Sequence, residues 1–110
     1  MTELLQGTLE MLVLKTLSLG PLHGWGIAQR IGEISEGVFA VNQGSLYPAL
    51  QRMKRRGWVK SAWRVTENNR RARYYELTAS GRKRLAVEAK EWNEVQGAVN
   101  RILRFRAQEG

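Results

Sequence analysis

Apolar residues step through the start of the chain at three- and four-residue intervals: Leu5, Leu9, Leu12, Val13, Thr16 and Leu17. That period predicts an amphipathic helix over about residues 3–18, ended by Gly20-Pro21. Ile27, Ile31 and Ile34 repeat the step and predict a second helix from near His23-Gly24 to about Glu36, with Gly37 as its stop. His23 reads as a turn or cap residue ahead of that helix, and Trp25 as core or helix packing. Phe39-Ala40-Val41 is a short apolar run, a stub of strand leading into a third helix. There Asn42 is a suitable N-cap, Leu46, Leu50 and Met53 mark the buried face, and Gly57 is the stop. At about 100° per residue the opposite face carries Gly44, Pro48, Gln51, Arg52 and Arg55. Pro48 costs a backbone bond to Gly44, tolerable only early in the helix and opposite a residue without a side chain.

The period then changes to two. Val59, Trp63 and Val65 share one parity and Lys60 and Arg64 the other, as in a half-buried strand, with Trp58 and Trp63 as hairpin core. Thr66 to Arg71 is rich in turn formers, and Arg73-Tyr74-Tyr75-Glu76-Leu77 is the return strand, which leaves Arg70 and Arg71 at or near a hairpin tip. Thr78 is placed to cap a last helix of roughly 79–106, about 40 Å long. Leu85, Ala89, Trp92, Val95, Val99, Ile102 and Leu103 form a stripe along it. A stripe projecting beyond a compact body needs a cover, and a second copy of the chain about a two-fold axis supplies one. The expected fold is mainly α with a small β-hairpin: a winged helix-turn-helix over residues 1–78 and a C-terminal dimerisation helix over 79–110.

Charge sharpens this picture. Residues 52–84 hold twelve Lys and Arg against Glu67 and Glu76, a net +10, while the rest of the chain sums to −2. Positive charge confined to one helix–hairpin unit is the footprint of a nucleic-acid-binding face. The length of 110 residues fits one domain. No apolar run approaches the roughly 20 residues that cross a bilayer, and no signal peptide is visible, so a cytoplasmic protein without membrane partners is expected. There is one histidine, no cysteine and no aspartate, and all ten acids are glutamate. Such a set lacks clustered metal ligands, a nucleophile–base pair and a Gly-rich phosphate loop, so neither an enzyme nor a metal or cofactor is expected.

Several motifs carry a resemblance. Leu9, Leu12 and Leu17 are followed by Pro21-Leu22-His23-Gly24-Trp25, then Gly44-Ser45-Leu46-Tyr47-Pro48-Ala49-Leu50, Gly57, Tyr75-Glu76-Leu77-Thr78 and Gly81. Over nearly its whole length the chain resembles the PadR family of bacterial transcriptional regulators, in its smaller class with one C-terminal helix. Ser45 stands where the family often has Thr, and Trp25 where it commonly has Tyr. The resemblance implies a dimeric DNA-binding regulator, usually a repressor, paired through the last helix. Some relatives answer to phenolic or other planar aromatic compounds.

The residues expected to meet double-stranded DNA are Asn42, Gln43, Ser45, Tyr47, Gln51, Arg52 and Arg55 of the third helix with Arg70, Arg71 and Arg73 of the wing. Tyr47 reads equally as core packing, and Lys54 and Arg56 as flanking surface. The expected homodimer interface is the stripe from Leu85 to Leu103, where Trp92 also becomes a candidate site for a planar aromatic small molecule. Two further readings stand beside the regulator: an RNA-binding or protein-interaction winged helix, and a non-specific architectural DNA binder.

Overall fold

A computed structural model describes residues 6–107, so Leu5 lies outside the described residues. The elements in chain order are α1 (Gln6–Leu17), β1 (Leu22–His23), α2 (Gly24–Ile34), α3 (Gln43–Arg55), β2 (Val59–Val65), β3 (Arg71–Leu77) and α4 (Ala79–Arg104). Three helices, an antiparallel wing and a long last helix make a winged helix-turn-helix with a projecting arm. The chain extends 70 Å along its longest axis and 28 and 21 Å across it.

Local chemistry explains the starts. His23 caps α2, its Nδ1 accepting the Gly26 N–H at 3.0 Å. The side chain of Asn42 does the same for α3, accepting the Ser45 N–H at 2.8 Å. Thr78 caps α4 by accepting the Gly81 N–H at 3.0 Å. Each satisfies an N–H that the first helical turn leaves without a partner. Pro48 is accommodated within α3. At the end of α2, Glu36 and Gly37 both take positive φ (54° and 82°), and the Gly37 N–H reaches back to the Gly32 carbonyl at 2.9 Å. This left-handed closure ends the helix two residues before the expected Glu36. Phe39 forms only an isolated bridge.

The core joins Leu9, Val13, Leu14 and Leu17 of α1 to Ile27 and Ile31 of α2 and to Leu46, Ala49, Leu50 and Met53 of α3. Val59, Tyr75 and Leu77 close it from the base of the wing. The three buried positions expected in α3 are all there. Four others are not buried. Ile34 is 62% exposed because α2 ends there and the stripe outruns the body; Trp63 and Val65 are exposed because β2 outruns it as well. Burial in β2 alternates only from Val59 to Ala62, and only Val59 at its base reaches the core. Trp25 is 65% exposed rather than core.

The sheet has three strands where the sequence pattern predicts a two-stranded hairpin. β3 is central, in the order β1-β3-β2. β2 pairs with it from Val59↔Leu77 to Val65↔Arg71, so Arg71 belongs to the strand and not to the loop. β1 adds Leu22↔Tyr75 and His23↔Tyr74 on the other edge. A two-residue strand offers no periodicity to detect. α4 stops at Arg104, with Phe105 as its cap, slightly short of the expected 106.

Candidate nucleic-acid interface

The exposed side of α3 carries Gly44, Ser45, Tyr47, Pro48, Gln51, Lys54 and Arg55. Tyr47 faces outward, half exposed, which separates the two readings its position allowed. Its hydroxyl crosses to the start of α2, where a Cβ on Gly24 would sit 3.3 Å from it, so a residue with a side chain at 24 would crowd the tyrosine. Gln51 and Tyr47 line one wall of a groove of about 880 Å³. The opposite wall is the wing, with Arg70, Arg71, Arg73, Tyr74 and Trp63; Trp25 and His23 contribute from the start of α2.

The wing arginines are held by an aromatic ring. Trp63 and Arg73 are cross-strand partners. The guanidinium carbons of Arg71 and Arg73 lie 5.3 and 5.5 Å from the centre of the Trp63 ring. The Arg73 Nε also donates to Ser61 Oγ at 3.0 Å. Stacking of this kind holds a guanidinium in place while its N–H groups remain free to donate. Beyond it, Asn69 (φ 58°) turns the tip, and the Thr66 side chain accepts the Arg70 N–H at 3.2 Å.

Five of the residues expected to meet DNA therefore share the groove: Tyr47, Gln51, Arg70, Arg71 and Arg73. Ser45 and Arg55 lie on the same exposed side of α3 but outside the groove. Asn42 is exposed and engaged as a cap, and Gln43 is half-buried, its Oε1 buried without a hydrogen-bond partner. Arg52 differs most from expectation. It is tied to α1 by a hydrogen bond from its Nε to Oε1 of Glu10 at 3.1 Å, and so stands at the edge of the exposed face.

Two groove residues, Trp25 and Trp63, read as core in the sequence. For Trp25 a contrary signal exists: at 100° per residue it lies about 160° from Ile27, on the outer side of α2. For Trp63 there is none, because strand parity cannot say how far the supporting body extends. Burial pushes the Tyr75 phenol above its ordinary value, an effect that Arg73 opposes and Tyr47 reinforces. Among the described residues no helix is long and apolar enough to cross a membrane.

The basic third helix thus stands across a groove from a basic wing. The model of the transcriptional regulator PadR-like family matches residues 13–87. The chain belongs to this family. Its solved relatives include a Streptococcus mutans protein, 26% identical with a TM-score of 0.84, covering 99% of this chain and 98% of that one. A PadR family transcription regulator from Clostridium difficile is 27% identical with a TM-score of 0.74, covering 86% of this chain and 96% of that one. An uncharacterized 37.1 kDa transposon protein of Streptomyces fradiae is 38% identical over 82% of this chain, which spans 24% of that protein. The chain is thus a PadR-family transcriptional regulator, and the groove between α3 and the wing gathers five of its ten candidate DNA-binding residues. Within the motif from Gly44 to Leu50, Leu46, Ala49 and Leu50 anchor the helix while Tyr47 projects into the groove's α3 wall beside Gln51.

Proposed function

We propose that this PadR regulator is a cytoplasmic homodimeric repressor that reads an inverted-repeat operator and is released by a planar aromatic effector. The observation that carries the reading is the groove itself, where outward-facing Tyr47 and Gln51 stand across from Arg70, Arg71 and Arg73. In this reading residues 1–78 dock α3 by its N-terminal half into a major groove, and Ser45, Tyr47 and Gln51 meet bases or phosphates. Arg55 reaches the backbone or a guanine, and the wing follows an adjacent backbone or minor groove.

Residues 79–110 form the dimerisation arm. The stripe supports this: Trp92, Val95, Val99, Ile102 and Leu103 are all exposed in the single chain, Leu103 by 77%. So large a run of apolar surface on one helix is the pattern of a two-fold interface. Leu85 packs partly against the core and Ala89 is half-buried, so the two together mark where the arm leaves the body. Trp92 lies with Val95, Glu88 and Glu91 of α4 and Gly7, Thr8 and Met11 of α1 around a recess of about 170 Å³. Glu88 is paired with Arg84 at 2.7 Å, and Glu91 stands beside the indole, a setting that favours a flat, positively charged ligand over an anionic one.

The test is selection of bound duplexes from a random pool, followed by titration of alanine variants. The expected result is an inverted repeat with half-sites about one turn apart. Arg55→Ala should cost about 1–3 kcal/mol if its contact is bidentate to a base. Folded Gln51→Ala and Arg55→Ala proteins that both bind as well as the parent would refute the docking. Selection of RNA over duplex, or of no sequence at all, would favour the RNA-binding or the architectural reading.

A further inference from the structure

Glu10 is the one charged residue in the buried core among the described residues, 4% exposed. It sits on α1, yet both its oxygens face the C-terminal half of the recognition helix. Oε1 accepts the Arg52 Nε–H at 3.1 Å, and Oε2 lies 3.5 Å from Arg56 Nη1. The Arg56 guanidinium also stacks on Trp58, 5.1 Å from the ring centre, and Arg84 stacks on the same ring at 5.0 Å. A carboxylate this buried is retained only with partners, and here it has two cations. The group carries one negative charge against two positive ones, directly beside the exposed face of α3. Arg52 follows Gln51 by one residue, about 100° round the helix, at the edge of that face.

We infer that Glu10 is an internal counter-ion of the DNA face and sets the ratio of operator to non-operator binding. The inference rests on the docking proposed above. Affinity for any duplex follows the number of phosphates that free cations neutralise, whereas affinity for the right sequence follows fixed geometry. Glu10 withdraws one unit of positive charge from the phosphates, fixes the Arg52 guanidinium by a hydrogen bond and draws the half-exposed Arg56 toward it at 3.5 Å. The first effect lowers binding to all DNA; the second preserves binding to the operator. Glu10 is thus a positioning residue: it acts through Arg52 and Arg56 and need not touch DNA.

The experiment titrates the full chain and its variants against the selected operator and a scrambled duplex of equal length across a salt series. Glu10→Gln keeps the shape and removes the charge. It should raise affinity for the scrambled duplex several-fold at low salt, and steepen log affinity against log salt by up to about 0.9. The operator-to-scrambled ratio should fall. Arg56→Gln, whose charge is already paired, should flatten the slope less than Arg55→Gln does. A folded Glu10→Gln protein with unchanged scrambled affinity and slope overturns the inference, as does a parallel loss of both affinities at constant slope. If Glu10→Gln does not fold, equal slope changes for Arg55→Gln and Arg56→Gln overturn it, and a smaller change for Arg56→Gln supports it. Parent protein that binds no duplex refutes the docking reading instead, before any variant is compared.

Discussion

Replacing Gly81 by alanine should damage this protein far more than its place near the start of a helix implies. Gly81 is the third residue of α4 and is buried. A Cβ there would fall far inside contact distance of the Trp58 carbonyl oxygen, 3.0 Å from the carbonyl carbon and 3.2 Å from Leu77 Cδ2. The obstacle is backbone, so a side-chain rotation cannot relieve it. That same carbonyl accepts the Thr78 N–H at 3.1 Å, the Thr78 hydroxyl donates to the Gly57 carbonyl at 2.5 Å, and the Gly81 N–H completes the cap. Making room means lifting α4 off the base of the wing. Breaking the cap costs about 1 kcal/mol, breaking a buried hydrogen bond about 1 kcal/mol, and forced overpacking about 1–3 kcal/mol. Better helix propensity of alanine returns about 1 kcal/mol, leaving a net loss of about 2–4 kcal/mol. With a urea m-value of about 2 kcal/mol/M, the unfolding midpoint should fall by about 1–2 M. Parent and variant must be compared at equal protomer concentration, since the stability of the proposed dimer would depend on it. Because the joint also sets the direction of α4, operator affinity of the folded fraction should fall as well. A Gly81→Ala protein with an unchanged midpoint would show that the wing base and α4 are not locked together through Trp58 and Thr78.

Removing Arg70 and Arg71 together should weaken binding to operator and scrambled duplex about equally, and flatten the salt slope by about one unit for each phosphate no longer neutralised; a changed sequence preference at constant slope would mean that the wing reads bases. Planar cationic dyes should quench tryptophan fluorescence of the native protein, and Trp92→Phe should abolish that response while sedimentation still shows a dimer. No quenching by any planar cation or phenol would leave Trp92 as packing of the proposed interface alone. For Tyr75, burial raises the folded pKa above the unfolded one, so its contribution is complete below the ordinary value near 10 and is lost as pH rises through the folded value. Chemical denaturation between about pH 9 and 11 should therefore show a decline that Tyr75→Phe makes shallower; identical slopes would remove Tyr75 as its source.

Much of the fold is legible along the chain because its signals are local. The steps Leu9–Val13–Leu17 and Leu46–Leu50–Met53 mark buried faces whatever surrounds them. Asn42 and Thr78 accept an N–H three residues ahead, and His23 does so as well. The charge concentrated in residues 52–84 points to the same helix and wing that frame the groove. Failures occur where an element outruns its support. Ile34, Trp63 and Val65 continue correct periodic patterns into solvent, since periodicity specifies a face and not the extent of the body behind it. Arg52 shows the same limit for charge. From the helix it is one more surface base, and only the packing of α1 across α3 sets Glu10 against it.

The order of the four helices and the hairpin, most buried faces, the helix starts and the location of the basic segment can be read from the chain alone, because each follows from neighbours within a few residues. Packing settles the rest: which cations are free and which are neutralised, that Trp25 and Trp63 line a groove, and that a two-residue strand completes the sheet. Those outcomes depend on residues far apart in the chain meeting in space, Glu10 with Arg52, Leu22 with Tyr75, Gly81 with Trp58. No local pattern encodes such a distance.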